Sequence, residues 1–372
     1  MTTALFHLAG TEWLGGDDNA RRVLQSCNDG LPVLDLGPTL GFPGLINSHD
    51  HLEFNCYPPL GSPPYADFTD WSVDVQRDHR NLIDAVEAVP RRARLQIGAL
   101  KNLLWGVTSV AHHGGRMPSA LELPVGIISN FDVVHSPELE QSGRLQFLKA
   151  WRRRPVAAHI GEATTAASRR RALDFARSNV FHRRLIGIHG VALEAVDFSR
   201  FDALVWCPGS NLNLLHKTLD AGSAKGETTV LFGTDATISA PGTLWDHLRA
   251  ARRLGGLSNL ELFESLTGSA ARFWGLRDLR SDFVVARRRE REQWDAFFSI
   301  TPADILLVVC GGRAVLADET VVRAYPDIFG SLTPVGASQK RVAMDIDDLV
   351  SILGRSPGLD FAAMMSRFTG SG

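Results

Sequence analysis

The sequence is poor in cysteine and has no strong excess of either charge. Its 372 residues include four widely spaced cysteines, Cys27, Cys56, Cys207 and Cys310. Such spacing argues against a disulfide framework and favours a reducing compartment. The formal net charge of −2 gives no electrostatic reason to expect nucleic acid or an acidic membrane as a partner.

Long hydrophobic runs are missing as well. No basic N-terminal region precedes an apolar run, so we expect no signal peptide. No segment approaches the length and apolarity of a membrane span. We therefore predict a cytoplasmic protein that acts on a small-molecule substrate and has no nucleic-acid or membrane partner. Homo-oligomerisation is left open.

Short apolar runs alternate with longer amphipathic stretches from about residue 43 onward. The candidate strands are Gly44–Ser48, Val107–Ala111, Val125–Ser129, Val156–Ala158, Leu185–Ile188, Ala203–Trp206 and Thr229–Gly233. The helical patterns between them are Asn81–Trp105, Glu138–Arg153, Thr165–Ser178 and Leu244–Leu254. This alternation predicts an α/β fold with a parallel sheet covered by helices, and roughly 230 residues are typical of a (β/α)8 TIM-like barrel. With seven strands counted, either Phe131–His135 is the eighth or the barrel is irregular around residues 112–135.

The two ends of the chain have strand patterns of their own. Ile305–Cys310 and Arg313–Ala317 flank Gly311-Gly312, which predicts antiparallel strands and a tight turn. Together with Val33–Leu36 and Asp282–Ala286, they predict a small composite β-domain from residues 1–42 and 277–340. The barrel is then assigned to residues 43–276. Residues 341–372 are predicted to form a C-terminal helical extension.

The first predicted barrel strand ends in two histidines whose side chains point in the same direction. His49 and His51 are two positions apart, so both side chains point the same way and are able to bind one metal ion, while Asp50 faces away. A His-x-His pair alone is a weak signal, because such histidines also occur satisfied in cores or on surfaces.

Three further apolar runs end in a histidine or an acid. His159 and then Glu162 follow Val156–Ala158, His189 follows the fifth strand, and Asp235 follows the last strand. Functional residues of a parallel barrel lie at the carboxyl ends of its strands. Asp235 alone could be a helix N-cap, but the five positions together favour a metal site.

The remaining histidines carry weaker signals. His112-His113 either meet solvent or line the floor of a pocket. We predict that the others are bystanders, namely His7, His79, His182, His216 and His247.

Several segments of the chain resemble one known group of enzymes. They are PGLINSHDH (Pro43–His51), HIGEA (His159–Ala163), IHG (Ile188–Gly190), CPGSNLNLL (Cys207–Leu215), FGTDA (Phe232–Ala236), SAARFWGL (Ser269–Leu276) and ADILLVVCGGRAVL (Ala303–Leu316). As an ordered set over roughly residues 33–320, they resemble the amidohydrolase superfamily. Within it, the cytosine deaminase-like and triazine-hydrolase-like branch of metal-dependent aminohydrolases is the most similar.

The resemblance implies a specific set of metal ligands. His49, His51, His159 and Asp235 would bind one divalent metal, and nitrogen and oxygen ligands suit zinc or iron(II). Relatives with two metals use a carboxylated lysine at a mid-barrel strand end. Here no lysine follows Val125–Ser129, and Lys101 falls within a helical run, so we expect a mononuclear site.

The resemblance also implies catalytic roles for three residues. Asp235 would hold the attacking water and accept its proton, and Glu162 would act as the acid and base for the substrate. His189 would polarise the substrate or complete the set of metal ligands. Ser210 and Asn211 would be loop residues that support the pocket. Ala236 departs from the branch, which often has serine after this aspartate.

We therefore expect a mononuclear metal-dependent hydrolase of a non-peptide C–N bond, which deaminates a cyclic amidine or nitrogen heterocycle. Hydrolysis of an amide, an imide or a chloro-substituted heterocycle by the same site is the alternative. A non-catalytic binding or scaffold barrel is a third reading, disfavoured because every expected ligand is present. The aromatic residues that follow His51 either wall a flat pocket or anchor a long loop, namely Phe54, Tyr57, Tyr65, Phe68 and Trp71.

Overall fold

The computed structural model of the protein describes residues 6–14, 32–137, 154–276 and 281–370. The helix predicted over Glu138–Arg153 lies outside these ranges, as does Cys27.

The centre of the fold consists of parallel strands. The described residues contain two parallel sheets, of three strands in the order β3-β4-β5 and of five in the order β10-β9-β8-β7-β6. Their strands are β3 Leu45–Asp50, β4 Val107–His112, β5 Gly126–Ile128, β6 Asp132–Val134, β7 Val156–Ile160, β8 Leu185–His189, β9 Ala203–Trp206 and β10 Thr229–Phe232. The predicted α/β architecture with parallel strands is therefore confirmed. β6 lies within Phe131–His135, the segment left open as an eighth strand.

These strands read as unbroken apolar runs because both of their faces are covered. Every residue of β4, β7, β8 and β9 is buried, as expected for parallel strands between helices and a core. The end of β10 returns to β3, where the backbone N–H groups of Thr234 and Asp235 donate to the oxygen of His49, each at 3.1 Å. A Cβ at Gly233 would lie 2.8 Å from the Cβ of His49, so only glycine permits this approach.

Helices and two 3₁₀ segments lie between the parallel strands and after the last of them. They are the 3₁₀ helices Leu52–Cys56 and Ala195–Arg200, α1 Phe68–Asp78, α2 Arg80–Glu87, α3 Arg91–Leu104, α4 Ala166–Arg177, α5 Pro208–Leu215, α6 Ala221–Ala224, α7 Leu244–Leu254, α8 Asn259–Glu264 and α9 Gly268–Trp274. The single helix predicted over Asn81–Trp105 is wrong. The helix is interrupted at Pro90, between the end of α2 and the start of α3, because proline lacks a backbone donor and disfavours helical conformation in the residue before it.

A mixed sheet combines strands from both ends of the chain. Its order is β1-β2-β11-β12-β13-β15-β14. The strands are β1 His7–Trp13, β2 Val33–Pro43, β11 Phe283–Arg287, β12 Ile305–Cys310, β13 Arg313–Asp318, β14 Thr333–Pro334 and β15 Lys340–Val342. β12 and β13 pair antiparallel around Gly311 and Gly312, whose φ angles of 57° and 75° suit a tight hairpin turn.

The C-terminal helices pack back onto the rest of the chain. They comprise α10 Gln293–Phe298, α11 Glu319–Ala324, α12 Pro326–Phe329, α13 Ile346–Leu353 and α14 Phe361–Thr369. Trp105 Nε1 at the end of α3 donates to the backbone oxygen of Phe368 in α14 at 2.7 Å. Among the described residues, no helix is long and apolar enough to cross a membrane. The three described cysteines are free thiols.

Candidate metal centre

Five residues predicted from the sequence meet at the carboxyl ends of four parallel strands. They are His49 on β3, His51 directly after β3, His159 on β7, His189 on β8 and Asp235 just after β10. All are buried. Two overlapping groups have ligand atoms within 4.8 Å of one another, namely His49 with His51 and His159, and His49 with His189 and Asp235. We call these five residues the ligand cluster.

The spacing of the imidazole nitrogens in the ligand cluster fits a tetrahedral metal. His159 Nε2 lies 3.2 Å from His51 Nε2 and 3.3 Å from His49 Nε2. A tetrahedral zinc ion with bonds of about 2.0–2.1 Å holds its ligand atoms about 3.3–3.4 Å apart. The Nδ1 of His159 lies 2.6 Å from the backbone oxygen of His135, so a neutral ring donates there and keeps a lone pair on Nε2. That lone pair is available to bind a metal ion.

Burial favours the neutral form of three histidines in the cluster, namely His51, His159 and His189. Desolvation, reinforced by the neighbouring His49, lowers the pKa of His51 and of His159 well below its usual value. Desolvation is also the main reason that the pKa of His189 falls to about 4. Neutral imidazoles are the form that binds metals.

Asp235 is held as a carboxylate beside the histidines. Its Oδ1 lies 3.6 Å from His49 Nε2 and 3.9 Å from His51 Nε2. Burial by itself would raise the pKa of Asp235, but its interactions with the imidazoles of His49, His189 and His51 outweigh burial and hold the pKa well below the usual value. Ser239 Oγ donates to Asp235 Oδ2 at 2.7 Å. Sequence analysis missed Ser239. The hydroxyl that contacts Asp235 thus comes from position 239, and position 236, where the branch often has serine, is an alanine without a hydroxyl.

His189 is oriented by a side chain from the next strand–helix unit. Its Nδ1 lies 2.8 Å from Asn211 Oδ1, an acceptor, so a neutral ring carries its hydrogen on Nδ1 and a lone pair on Nε2. Asn211 was expected in a loop but lies in helix α5 together with Ser210. Ser210 Oγ donates to the backbone oxygen of Cys207 at 3.4 Å.

Glu162 lies beside the ligand cluster and faces the same cavity. Its Oε2 is 3.5 Å from His189 Nε2. Among the described residues, neither group of candidate ligands contains Glu162. The backbone oxygen of Glu162 accepts from Phe68 N at 3.1 Å, which joins its loop to the start of α1.

A cavity of about 300 Å³ opens over the cluster and over Glu162. Its apolar wall is formed by Phe54, Tyr57, Phe68, Trp71, Val75, Ile83 and Ile238. Four of the five aromatic residues considered in the sequence thus line the cavity. Tyr65 is not among its lining residues; its hydroxyl accepts from Ser62 N at 2.6 Å and so anchors the loop.

Further histidines surround the cluster. His113 is buried with its ring centroid 4.3 Å from that of His159. His112 Nε2 lies 3.4 Å from Glu53 Oε2, outside the cluster. His135 lines the cavity and was missed by sequence analysis. It directly follows β6, so assigning that eighth strand would have placed it at a strand end.

Lys101 lies in helix α3, and its side chain extends to residues directly behind the ligand cluster. It does not belong to the described ligand groups, and its Nζ lies 2.8 Å from Asp50 Oδ2. Burial lowers the pKa of Lys101, an effect that the nearby Asp50 opposes. As predicted, the side chain of Asp50 faces away from the histidines beside it.

Several solved structures of known enzymes match the fold of this chain. An adenosine deaminase from Xanthomonas campestris with bound zinc matches at a TM-score of 0.64 and 16% identity, covering 91% of this chain and 88% of that one. An aminofutalosine deaminase from Helicobacter pylori in complex with methylthio-coformycin matches at 0.55 and 16%, covering 80% and 92%. A variant of atrazine chlorohydrolase from Arthrobacter aurescens, complexed with zinc and atraton, matches at 0.61 and 15%, covering 90% of each chain. All three belong to the amidohydrolase superfamily.

The chain shares the overall fold of these three enzymes. The resemblance read from the sequence motifs is thereby confirmed at the level of fold, over about nine-tenths of the chain. No protein-family model matches the sequence, and no curated protein is significantly similar to it in sequence.

Proposed function

We propose that the protein is a mononuclear metal-dependent hydrolase that deaminates a cyclic amidine or a nitrogen heterocycle. The observation that carries the proposal is the convergence of three buried imidazoles beside one cavity: the Nε2 atom of His159 lies 3.2 Å from that of His51 and 3.3 Å from that of His49. With Asp235 they would hold one zinc or iron(II) ion. Such an ion supplies hydroxide at neutral pH by lowering the pKa of water to about 7.

Asp235 and Glu162 divide the proton transfers between them. Asp235 is ionised and close to His49 and His51, so it accepts the proton of the attacking water. Glu162 faces the cavity and, when protonated, delivers its proton to the ring nitrogen. It then takes the second proton of the attacking oxygen as the carbonyl forms and passes it to the leaving amino group, and the proton held by Asp235 restores Glu162 after the cycle. Ammonia leaves only when its nitrogen is protonated, so Glu162 is needed in the second step.

His189 completes the set of metal ligands in this proposal. Two roles were open from the sequence, polarisation of the substrate and metal binding. Polarisation requires a hydrogen on Nε2, whereas the contact with Asn211 leaves a lone pair there. The grouping of His189 with His49 and Asp235 supports metal binding.

We further propose that the eight parallel strands close into a (β/α)8 barrel spanning residues 43–276. The contact between the end of β10 and His49 on β3 supports closure on one side. Among the described residues, β5 and β6 are edge strands of separate sheets, so the barrel would also have to close between these two strands. In this proposal the mixed sheet, from residues 1–42 and 277–340, is a small domain beside the barrel, and residues 341–372 are a helical extension.

The cavity favours a flat and mainly apolar substrate. Aromatic side chains from the segment after β3 and from α1 form much of its wall, and flat rings pack well against them. Deaminases of this fold act on adenosine and aminofutalosine, and a chlorohydrolase of this fold acts on atrazine. Removal of chloride from a heterocycle is therefore the second candidate reaction.

A panel of amino- and chloro-substituted purines, pyrimidines and triazines tests both reactions. Zinc-loaded protein is incubated with each compound, and released ammonia and chloride are measured separately. Ammonia release that disappears in metal-free protein supports deamination. Chloride release alone supports the second candidate, and zinc binding without turnover on any compound would favour a binding or scaffold protein.

A further inference from the structure

A fully buried ion pair lies directly behind the ligand cluster. Lys101 Nζ is 2.8 Å from Asp50 Oδ2, and both side chains have 0% exposure. A buried ion pair often adds little net stability, because the cost of desolvating both charges offsets their attraction. The position of this pair, between α3 and the ligand-bearing end of β3, points to a role other than stabilising the fold.

The Lys101 ammonium also contacts the opposite side of the site. Its Nζ donates to the backbone oxygen of Asp235 at 3.3 Å. Asp235 has a φ of 57°, in the left-handed region that non-glycine residues avoid. Thr234 Oγ1 donates to the same oxygen at 3.1 Å. Lys101 therefore connects the end of β3 to a strained turn that carries a candidate ligand.

Three buried amides hold Asp50 in place. Asn102 Nδ2 donates to Oδ2 of Asp50 at 2.6 Å, and Asn55 Nδ2 donates to Oδ1 at 2.9 Å. Asn47 Nδ2 lies 3.3 Å from Oδ2 of Asp50 and 2.7 Å from Thr234 Oγ1. Donors on both carboxylate oxygens fix the Asp50 side chain, which in turn restrains the backbone between His49 and His51.

A close helix contact brings the lysine into position. A Cβ at Gly98 would lie 2.3 Å from the backbone oxygen of Leu52, so glycine is required for α3 to pack this close to the segment after His51. Lys101 follows Gly98 by nearly one helical turn and so comes under the end of β3.

We propose that Lys101 and Asp50 are positioning residues that set the geometry of the metal ligands. They do so by coupling the segment His49–His51 to the backbone of Asp235. This inference rests on the proposed metal site. Removing partners that orient metal ligands typically weakens metal affinity by about 10–100-fold.

The decisive variant removes both charges at once. Asp50→Asn with Lys101→Met keeps side-chain volume and leaves no unpaired buried charge, and its melting temperature checks that the fold is retained. It also deletes the contact from Lys101 to Asp235. Asp50→Asn alone is the second variant, since it keeps every heavy-atom position of the pair.

The chain offers a matched control in the mixed sheet. Lys340 Nζ lies 2.7 Å from Asp318 Oδ2, and both side chains are buried. The control variant is therefore Asp318→Asn with Lys340→Met. For each protein we would measure zinc affinity of the metal-free form by competition with a chromogenic chelator, the visible spectrum of the cobalt(II) form, and the melting temperature.

The expected result is a loss of zinc affinity of at least about tenfold in the Asp50/Lys101 double variant, with an altered cobalt(II) spectrum. The control double variant should change the melting temperature only. Wild-type zinc affinity and cobalt(II) spectrum in both Asp50 variants would overturn the positioning role. Wild-type protein that takes up neither metal would overturn the proposed metal site and this inference together. Metal uptake without any hydrolysis would count against the proposed reaction alone.

Discussion

Two candidate site residues have backbone conformations that their side chains disfavour. His189 has a φ of 72° and Asp235 a φ of 57°. A non-glycine residue in this region costs on the order of 1 kcal/mol or more, and such strain concentrates at functional sites. At each position the left-handed turn directs a side chain into the ligand cluster immediately after a strand ends. The strain is compensated by contacts such as that from Lys101 to the Asp235 oxygen.

His51→Ala tests the ligand cluster. The protein should lose its metal and its activity together, because the remaining ligands are fixed by their strands and do not move to fill the gap. Wild-type protein should contain one metal per chain, and elemental analysis checks both. His182→Ala, at an exposed loop position, is the control and should retain metal. Two metals per wild-type chain, or none after expression with added metal, would contradict the mononuclear site.

Glu162→Gln tests proton transfer. The variant keeps the size of the side chain and removes its titratable proton, so metal content and folding should be unchanged. Turnover should fall by about 10² or more, the usual contribution of a positioned acid or base. Steady-state kinetics alongside elemental analysis separate the outcomes. Loss of metal would make Glu162 a ligand, and near-normal turnover would mean that the deaminase mechanism is wrong.

At the scale of secondary structure elements, α1 and α2 form a wall over the ligand cluster. α1 contributes Phe68, Trp71 and Val75 to the cavity, and α2 contributes Ile83. Position 75 faces the cavity and is buried, whereas Val73 on the same helix is 64% exposed. The helix therefore has one face toward the cavity and one toward solvent, and this division allows a direct test.

Val75→Ala should weaken substrate binding. Removing methyl groups from the wall costs about 0.8 kcal/mol per methylene that contacts the substrate, on the order of a fourfold rise in KM with little change in kcat. The kinetics are measured on the best compound from the heterocycle panel. Val73→Ala, the same change on the solvent face, should leave KM unchanged. An equal effect at both positions would indicate that α1 does not contact the substrate.

At the scale of the whole molecule, the ligand cluster joins segments that are far apart in the sequence. Residues 49–51, 159, 189 and 235 meet in one buried site. A metal that binds them connects four strands of the two parallel sheets. Binding only to the folded state stabilises it by mass action, by about 2.7 kcal/mol when the free metal is 100 times its Kd.

Removal of the metal should therefore lower the melting temperature by on the order of 5 °C. Thermal unfolding in the presence of a chelator, followed by addition of excess zinc, measures the loss and its recovery. His51→Ala should show no response to either treatment. An unchanged melting temperature in the wild-type protein would argue that metal contributes nothing to the folded state.

The sequence alone determined most of the parallel strands and the positions of the candidate ligands. β9 and β12 were predicted at their observed bounds, because buried strands are local apolar runs bounded by turn residues. The opposite directions of His49 and Asp50 followed from the alternation of side chains along a strand. The break at Pro90 was missed although its cause is local.

Only the tertiary structure decided how those positions are joined. The partners Lys101 and Asp50 are separated by fifty residues of chain, and the contact of His189 with Asn211 bridges two strand–helix units. Periodicity determines which way a side chain leaves its own strand or helix, whereas its hydrogen-bond partner depends on how closely separate elements pack. The residues of the ligand cluster could therefore be predicted from the sequence, but the buried ion pair and hydrogen bonds behind the cluster could not.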